Sequence, residues 1–339
     1  MNKKNSNAQN LNRVLEGDKK ISEIYSAFKN KISSLKKANF IVAISGGSDS
    51  LSLAALAKLY QNEIKVKVSY FLIDHQIRKN SAKEALQVKK LLKKSDIFLR
   101  IIKNKKKITS NVQGNARKIR YNLLSSKSKK NKNNYILTGH HSNDQIETFL
   151  IRLSRGSGVQ GLSSMKFLSK LSKNTFITRP FLETQKKDLT YLAKKFFGKI
   201  FYDPSNKNSK YLRTKMRYLQ KALEKSGIEN KQILKSIKNL SSTNYTLNSY
   251  IDKIYKLNVE QNKKKISINF KNIIEETPEV QFRIFSTAFK NLSKLYYPPR
   301  SKKIMNLLSG LKANKQKRYT LAKCLIEKRK NYILIKKER

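Results

Sequence analysis

The stretch IVAISGGSDSLSLAALAKLY, Ile41 to Tyr60, decides how the rest of the chain is read. It opens on apolar, β-branched residues with strand character and closes on LSLAALAKLY, whose apolar residues recur at helical spacing. Between them, Ser45 to Ser50 form the predicted turn, holding two glycines, three serines and one acid. A turn that leads from a strand into a helix aims its backbone N–H groups and the positive end of the helix at one point, which makes an anion site. Gly46 and Gly47 let the backbone approach a phosphate with no Cβ in the way, and Ser45, Ser48 and Ser50 add hydroxyl donors. A Walker A loop ends in Gly-Lys-Ser/Thr, whereas here Asp49 stands directly before Ser50. An acid beside a polyphosphate makes sense as a ligand for Mg²⁺. The plain alternative is a Gly-Gly turn capped by serines.

Outward from this junction, strand-like runs are predicted at Phe40 to Ile44, Val66 to Ile73, Ile97 to Ile102, Tyr135 to Leu137 and Thr175 to Thr178. Helical spacing fills the intervals Leu51 to Tyr60, Ala82 to Lys93, Val112 to Leu124 and Gln145 to Leu153. Strands alternating with helices argue for an α/β fold with a doubly wound, mostly parallel sheet covered on both faces. Ligands of such sheets sit at the carboxyl ends of the strands. After about Leu219 the texture becomes basic and helical, broken by YYPPR at Tyr296 to Arg300. The last segment, YTLAKCLIEKRKNYILIKKER, alternates apolar and polar residues on both sides of Lys328 to Asn331 and reads as a β-hairpin. The expected organisation is a disordered basic tail over 1–20, a catalytic domain over 21–225, and a smaller, mainly helical C-terminal domain over 226–339 that ends in the hairpin.

Composition bounds the function. With 339 residues the chain is long enough for two cores, and 75 Lys plus Arg against 22 Asp plus Glu give a net charge of +53. Such a field attracts polyanions, nucleic acid first, with binding that weakens as salt rises. Part of the excess is compositional bias, since Lys and Asn recur in low-complexity patches such as SSKSKKNKNN. The single cysteine, Cys324, excludes an intrachain disulfide and a cysteine-held iron–sulfur cluster. The polar start, MNKKNSNAQN, has no apolar run behind it, and nowhere do about 18 apolar residues follow one another, so a cytoplasmic protein with no membrane contact is expected.

Acids are scarce here, so their placement matters. Asp144 and Glu147, spaced i, i+3, share one helix face and suit a cationic ligand, against the plainer reading of acids that favour a helix N-terminus. The three histidines, His75, His140 and His141, all stand at predicted strand ends, as direct participants or as packing residues. A zinc site from the histidine pair and Asp144 would need those ligands to converge in space. Arg117 and Arg120 are again i, i+3, and guanidiniums suit phosphate clamping. GSGVQG, Gly156 to Gly161, matches the dinucleotide fingerprint letter by letter, but the fingerprint must follow a strand and open a helix. Here the helical segment ETFLIRLSR leads into it, and a substrate loop carrying Arg155 is the better reading.

SGGSDS resembles the PP-loop signature of ATP pyrophosphatases, which activate an oxygen by adenylation and release pyrophosphate. Five further blocks, DHQIRKNSAKEA (Asp74 to Ala85), QGNARKIRYNLL (Gln113 to Leu124), TGHHSNDQIETFLIRLSRGSGVQGLSSM (Thr138 to Met165), RPFLETQKKDLTYL (Arg179 to Leu192) and DPSNKNSKYLRTKMR (Asp203 to Arg217), are similar, in the same order, to the motifs of the bacterial tRNA(Ile)-lysidine synthetase family. Asn143, Asn208 and Thr214 depart from the usual pattern. The resemblance implies ATP and Mg²⁺, free L-lysine, and a tRNA(Ile) with a CAU anticodon, with no obligatory protein partner. It implies adenylation of the C2 carbonyl oxygen of the wobble cytidine, then displacement of AMP by the lysine ε-amine. It assigns the nucleotide to Ser45, Gly46, Gly47, Ser48, Asp49 and Ser50, lysine to Asp144 and Glu147, and catalysis to Asp49, Arg117 and His140. Arg78, Arg120, Arg155, Arg213 and Arg217 are the expected tRNA contacts, and Asp49 the metal ligand. Whether Asp144, Glu147 or His140 takes the amine proton stays open. Two other classes are weighed beside it: a PP-loop tRNA thiolase, which uses cysteines this chain lacks, and a noncatalytic RNA-binding protein.

Overall fold

The structure is a computed structural model and describes residues 11–35, 39–106, 108–130, 134–172, 174–202, 212–293, 298–314 and 316–338. Residues 1–10 of the expected tail, the DPSNKNSKY part of the fifth block with Asn208, and the first residues of the YYPPR breaker lie outside them. The chain divides into two compact units, Met1–Leu240 and Ser241–Arg339.

In the first unit, β1 (Phe40–Ile44) is central because nearly all of it is apolar: a strand buried on both faces needs an unbroken apolar run. β2 (Val68–Asp74) and β4 (Tyr135–Leu137) pair with it in parallel, in the register Phe40 to Val68 and Phe40 to Tyr135. β3 (Leu99–Lys103) adds beyond β2, and β6 (Thr175–Thr178) beyond β4. β5 (Leu168–Ser172), which the sequence pattern did not signal, pairs antiparallel to β6 at the edge. The order is β3-β2-β1-β4-β6-β5, so it reverses between β1 and β4. The alternation of β1 fixes the layers. Phe40, Val42 and Ile44 face a large core with α2 (Lys19–Ser33), α3 (Ser48–Ile64), α4 (Ser81–Lys93) and α8 (Lys186–Phe197), while Ile41 and Ala43 face a smaller one with Leu124 of α5 (Val112–Lys130). The sheet is therefore doubly wound, as expected. α6 (Ser142–Leu153) packs through Ile146 and Leu150 on α9 (Leu212–Lys225) and on the start of α10 (Asn230–Asn258).

Two expectations are corrected. Residues 11–20 are not a disordered tail: 11–16 form a short helix, α1, and Leu11 is buried in the main core with Val14 and Leu15 against it. Their i, i+3, i+4 spacing makes an apolar stripe, which outweighs the polar neighbours. The turn after β1 is also shorter than the six residues predicted. Gly47 is the N-cap of α3, so Ser48, Asp49 and Ser50 belong to its first turn.

The second unit is built on a five-stranded antiparallel sheet, ordered β7-β8-β11-β10-β9, from β7 (Val259–Gln261), β8 (Lys265–Asn269), β9 (Arg318–Leu321), β10 (Cys324–Arg329) and β11 (Tyr332–Lys337). The predicted hairpin is its β10–β11 pair. The inner face, with Ile266, Ile268, Ile326, Ile333 and Ile335, packs on the helices α12 (Pro278–Ser293) and α13 (Ser301–Lys312). A short helix, α11 (Phe270–Ile274), adds Phe270 to the same core, and Cys324 is buried there. Among the described residues, no helix is long and apolar enough to cross a membrane.

Candidate active site

The strand-order reversal leaves a crevice at the carboxyl ends of β1 and β4, where doubly wound sheets bind ligands. There the first unit holds a cleft of about 820 Å³, lined by the residues after β1, β2 and β4 and by the starts of α6, α8 and α9.

The loop after β1 is held open from within. The Ser50 hydroxyl accepts the amides of Ser45 (3.0 Å) and Gly46 (3.1 Å), lies 3.1 Å from the Ser45 hydroxyl, and donates to the Gly47 carbonyl (3.0 Å). The sequence reading placed Ser50 on the ligand; its hydroxyl is instead the staple of the loop. The first α3 bond runs from Leu51 N–H to Gly47 C=O, which leaves the amides of Ser48, Asp49 and Ser50 without a carbonyl inside the helix. Those groups carry the positive end of a 17-residue helix. The two glycines divide the work. A Cβ on Gly46, at φ +89°, would stand 2.7 Å from Val88, whereas one on Gly47 would approach nothing nearer than the Ser45 hydroxyl at 3.9 Å. Gly46 shapes the loop, and Gly47 keeps its outer side clear.

A third glycine, Gly139 after β4, escaped the sequence reading. A Cβ there would lie 2.9 Å from the Asp49 carbonyl, so its absence lets the two strand-end loops touch. That contact puts buried His141, the N-cap of α6, beside Asp49 (Nε2 to Oδ2, 3.7 Å) and Asp144 (Nε2 to Oδ2, 3.5 Å). Lys186, the first residue of α8, was likewise not singled out by any local signal. Its Nζ donates to Ser48 Oγ (2.9 Å) and to both Asp49 oxygens (2.5 and 2.7 Å).

α6 brings the two predicted carboxylates into the same cleft. Asp144 accepts the His141 amide at 3.0 Å. Burial opposes its ionisation, but His141, that amide and Arg213 outweigh it and hold the carboxyl below its ordinary range. Glu147 is pushed the other way: its burial outweighs the Arg217 guanidinium, which donates from Nε to Oε1 at 2.6 Å, and the second oxygen, Oε2, is buried with no partner among the described residues. Neighbouring carboxyls with opposite shifts can divide the labour of binding and proton transfer. His140, with Nδ1 at 2.9 Å from the Thr138 hydroxyl, is held well below the usual imidazole range, chiefly by burial and then by Arg117, Arg179 and Arg213.

Of the predicted site residues, Ser45, Gly47, Ser48, Asp49, Ser50, Arg78, Arg120, His140, Asp144, Glu147, Arg213 and Arg217 line this one cleft. Gly46 is turned inward. Arg117 does not line the cleft; its guanidinium lies 5.0 Å from the Tyr121 ring. Arg78 is held in a bidentate pair by Glu84, and Arg155 is exposed on the turn after α6. A helix does lead into GSGVQG, whose last three residues begin the short helix α7 (Val159–Leu162). No group of three metal-ligating side chains occurs among the described residues, which removes the zinc alternative there. Mg²⁺ needs less protein, one or two carboxylates beside a substrate's phosphates. Asp49 meets that condition, because a carboxylate offers about four lone-pair sites and Lys186 takes only some of them.

His75, at the end of β2, sets an acid limit on the fold. Both ring nitrogens are buried without partners among the described residues, and burial, followed by the Arg120 charge, pushes its pKa down to about 4. The unfolded chain then takes up the proton first, near pH 6.5, so stability present above pH 6.5 is lost as pH falls towards 4, by up to about 1.4 kcal/mol per pH unit. Denaturant titrations between pH 7 and 4 are expected to show this slope, and His75→Gln to flatten it. An unchanged slope in the variant would assign it to other groups.

The model of the PP-loop domain family matches residues 18–223. The chain is 31% identical over 314 residues to the tRNA(Ile)-lysidine synthase of Orientia tsutsugamushi (strain Boryong), covering 88% of this chain and 69% of that protein. It is 32% identical over 324 residues to the tRNA(Ile)-lysidine synthase of Wolbachia pipientis wMel, covering 93% and 75%. Among solved structures it is similar to the U34-tRNA thiolase NcsA of Methanococcus maripaludis with its [4Fe-4S] cluster, with a TM-score of 0.55 and 19% identity over 66% of this chain and 80% of that one. At that identity the likeness concerns the fold.

Proposed function

This chain belongs to the PP-loop domain family and, within it, to the tRNA(Ile)-lysidine synthases, and from that premise we propose that it joins free L-lysine to C2 of the wobble cytidine of a tRNA(Ile) with a CAU anticodon, using ATP and Mg²⁺. The observation that carries this reading is one cleft holding both an open helix N-terminus and two carboxylates, buried Glu147 and half-buried Asp144. The first suits a polyphosphate, the second an incoming ammonium.

In the first step the cytidine O2 attacks the α-phosphorus of ATP, forming the O–P bond as pyrophosphate leaves. The amides of Ser48 and Asp49 bind the departing phosphates. Mg²⁺ held by Asp49 would offset the polyphosphate charge. In the second step the lysine ε-amine attacks C2 and AMP leaves with the C–O bond pair. The amine must first lose its proton, since with a pKa near 10.4 about one in a few thousand is neutral at pH 7. Asp144, kept ionised, holds the ammonium, and Glu147, whose affinity for a proton is raised, receives the proton. His140, kept neutral, adds no competing cation beside them. The basic second unit is proposed to grip the tRNA by phosphate contacts and shape.

The thiolase likeness does not extend to this chemistry. A [4Fe-4S] cluster is held by Cys thiolates, and the one cysteine here is buried in β10. The deciding assay incubates the protein with ATP, labelled lysine and a tRNA(Ile) transcript bearing CAU. Label is expected in the tRNA and absent when the wobble C is replaced by U. Label in both transcripts, or in neither, would overturn the reading, and a requirement for a sulfur donor would redirect it to thiolation.

A further inference from the structure

The SGGSDS loop poses a charge problem. It offers a triphosphate a helix end worth roughly half an elementary charge, and it adds an acid, Asp49, beside it. The Walker A loop meets the same problem with its own lysine, and this loop has none. The fold brings one from 137 residues further along the chain.

We propose that Lys186 is the phosphate-binding cation of this site, supplied from the start of α8 in place of a lysine in the loop. The inference rests on the ATP-dependent reading above. Nζ lies 2.9 Å from Ser48 Oγ, so a phosphate oxygen bound by the Ser48 amide or hydroxyl falls within its reach. The anchor is rigid. α8 is fixed to the loop's own helix by the bond from Ser52 Oγ to the Leu189 carbonyl (2.6 Å) and by fully buried Leu189 and Leu192. The tip is mobile by construction, a four-carbon stem whose side chain is 45% exposed. A lysine in the first turn of a helix opposes the macrodipole, so local helix energetics does not account for it there. Asp49 holds the ammonium beside the loop, and a bound polyphosphate takes it over. Two other cations of the cleft are engaged elsewhere, Arg78 by Glu84 and Arg217 by Glu147, and Lys186 bonds the loop itself.

The test compares wild type, Lys186→Met and Lys186→Arg for ATP and for AMP binding by calorimetry, alongside the kinetics of lysine transfer. Lys186→Met is expected to weaken ATP binding about 10- to 100-fold, the loss of one charged hydrogen bond, and AMP binding by less than about threefold. KM for ATP rises, KM for lysine does not, and Lys186→Arg restores most of the affinity. Lys186→Gln, which keeps a donor without the charge, replaces Met if the thermal midpoint falls. Equal ATP affinity in wild type and the neutral variants overturns the proposal. A wild type that binds no ATP overturns the functional reading instead. The comparison is repeated in an Asp49→Asn background. A loss that persists there places Nζ on phosphate, and a loss that vanishes reduces Lys186 to a shield for Asp49 and overturns the proposal.

Discussion

Glu147→Gln is expected to lower the rate of lysine transfer by about 10²- to 10⁴-fold, the usual contribution of a positioned base, with ATP binding unchanged. The fold should tolerate it. The glutamine oxygen still accepts from Arg217 Nε, and Arg217, 42% exposed, is not left as a buried unpaired charge. The raised pKa gives the sign of the stability change. Burial makes the neutral form of Glu147 more favourable in the folded chain than in the unfolded one, so its contribution to stability is present below the ordinary carboxyl range and lost as pH rises through the shifted value. A permanently neutral glutamine therefore leaves the thermal midpoint at pH 7 unchanged or higher, which separates lost chemistry from lost folding. The wild-type rate should fall on the acid side as Glu147 takes up a proton, and that limb should vanish in the variant. Asp144→Asn should behave differently: its ionised carboxylate is assigned to binding, so KM for lysine rises more than kcat falls. Steady-state lysine titrations across pH check both. Unchanged lysine kinetics in the two variants would remove the acidic pair from the reaction.

The second large effect falls on folding. Gly46→Ala places a Cβ 2.7 Å from Val88 Cγ2 and 3.4 Å from Phe201 Cβ, at φ +89°. Val88 is β-branched and 2% exposed, so it has little room to give. Backbone strain and overpacking each cost about 1–3 kcal/mol, and together they predict a destabilisation of about 2–5 kcal/mol. Gly47→Ala is the control one residue on. At φ −71°, with no described atom nearer to its Cβ than the Ser45 hydroxyl at 3.9 Å, it should cost under about 1 kcal/mol while obstructing the face the phosphates approach. Urea unfolding read beside ATP binding distinguishes the pair. Gly46→Ala is expected to lose stability, and Gly47→Ala to lose ATP. Equal midpoints for the two variants would show that the tight contact is not what fixes Gly46.

How much of this was legible beforehand depended on distance along the chain. β1, β4 and β6 fall on the residues predicted, and α6 places Asp144 and Glu147 in one cleft as their i, i+3 spacing required. Each of these signals is local, an apolar run or a helical period written within about a dozen residues. The hairpin at the end was legible for the same reason, but its membership of a five-stranded sheet was not, because β8 joins β11 from more than sixty residues earlier. β5 was missed because a half-exposed edge strand carries too few apolar residues to declare itself.

The amino-acid sequence by itself determined the alternation of strands and helices, the loop that opens a helix toward an anion, and the excess of positive charge, since propensity, periodicity and composition act between near neighbours. Only the tertiary structure decided that Gly139 lets His141 stand beside Asp49, and that Lys186 and Arg217 hold the acids of the cleft. Those pairings join residues some 70 to 140 positions apart, and the order of strands in the sheet, which no local pattern encodes, is what brings them within hydrogen-bonding distance.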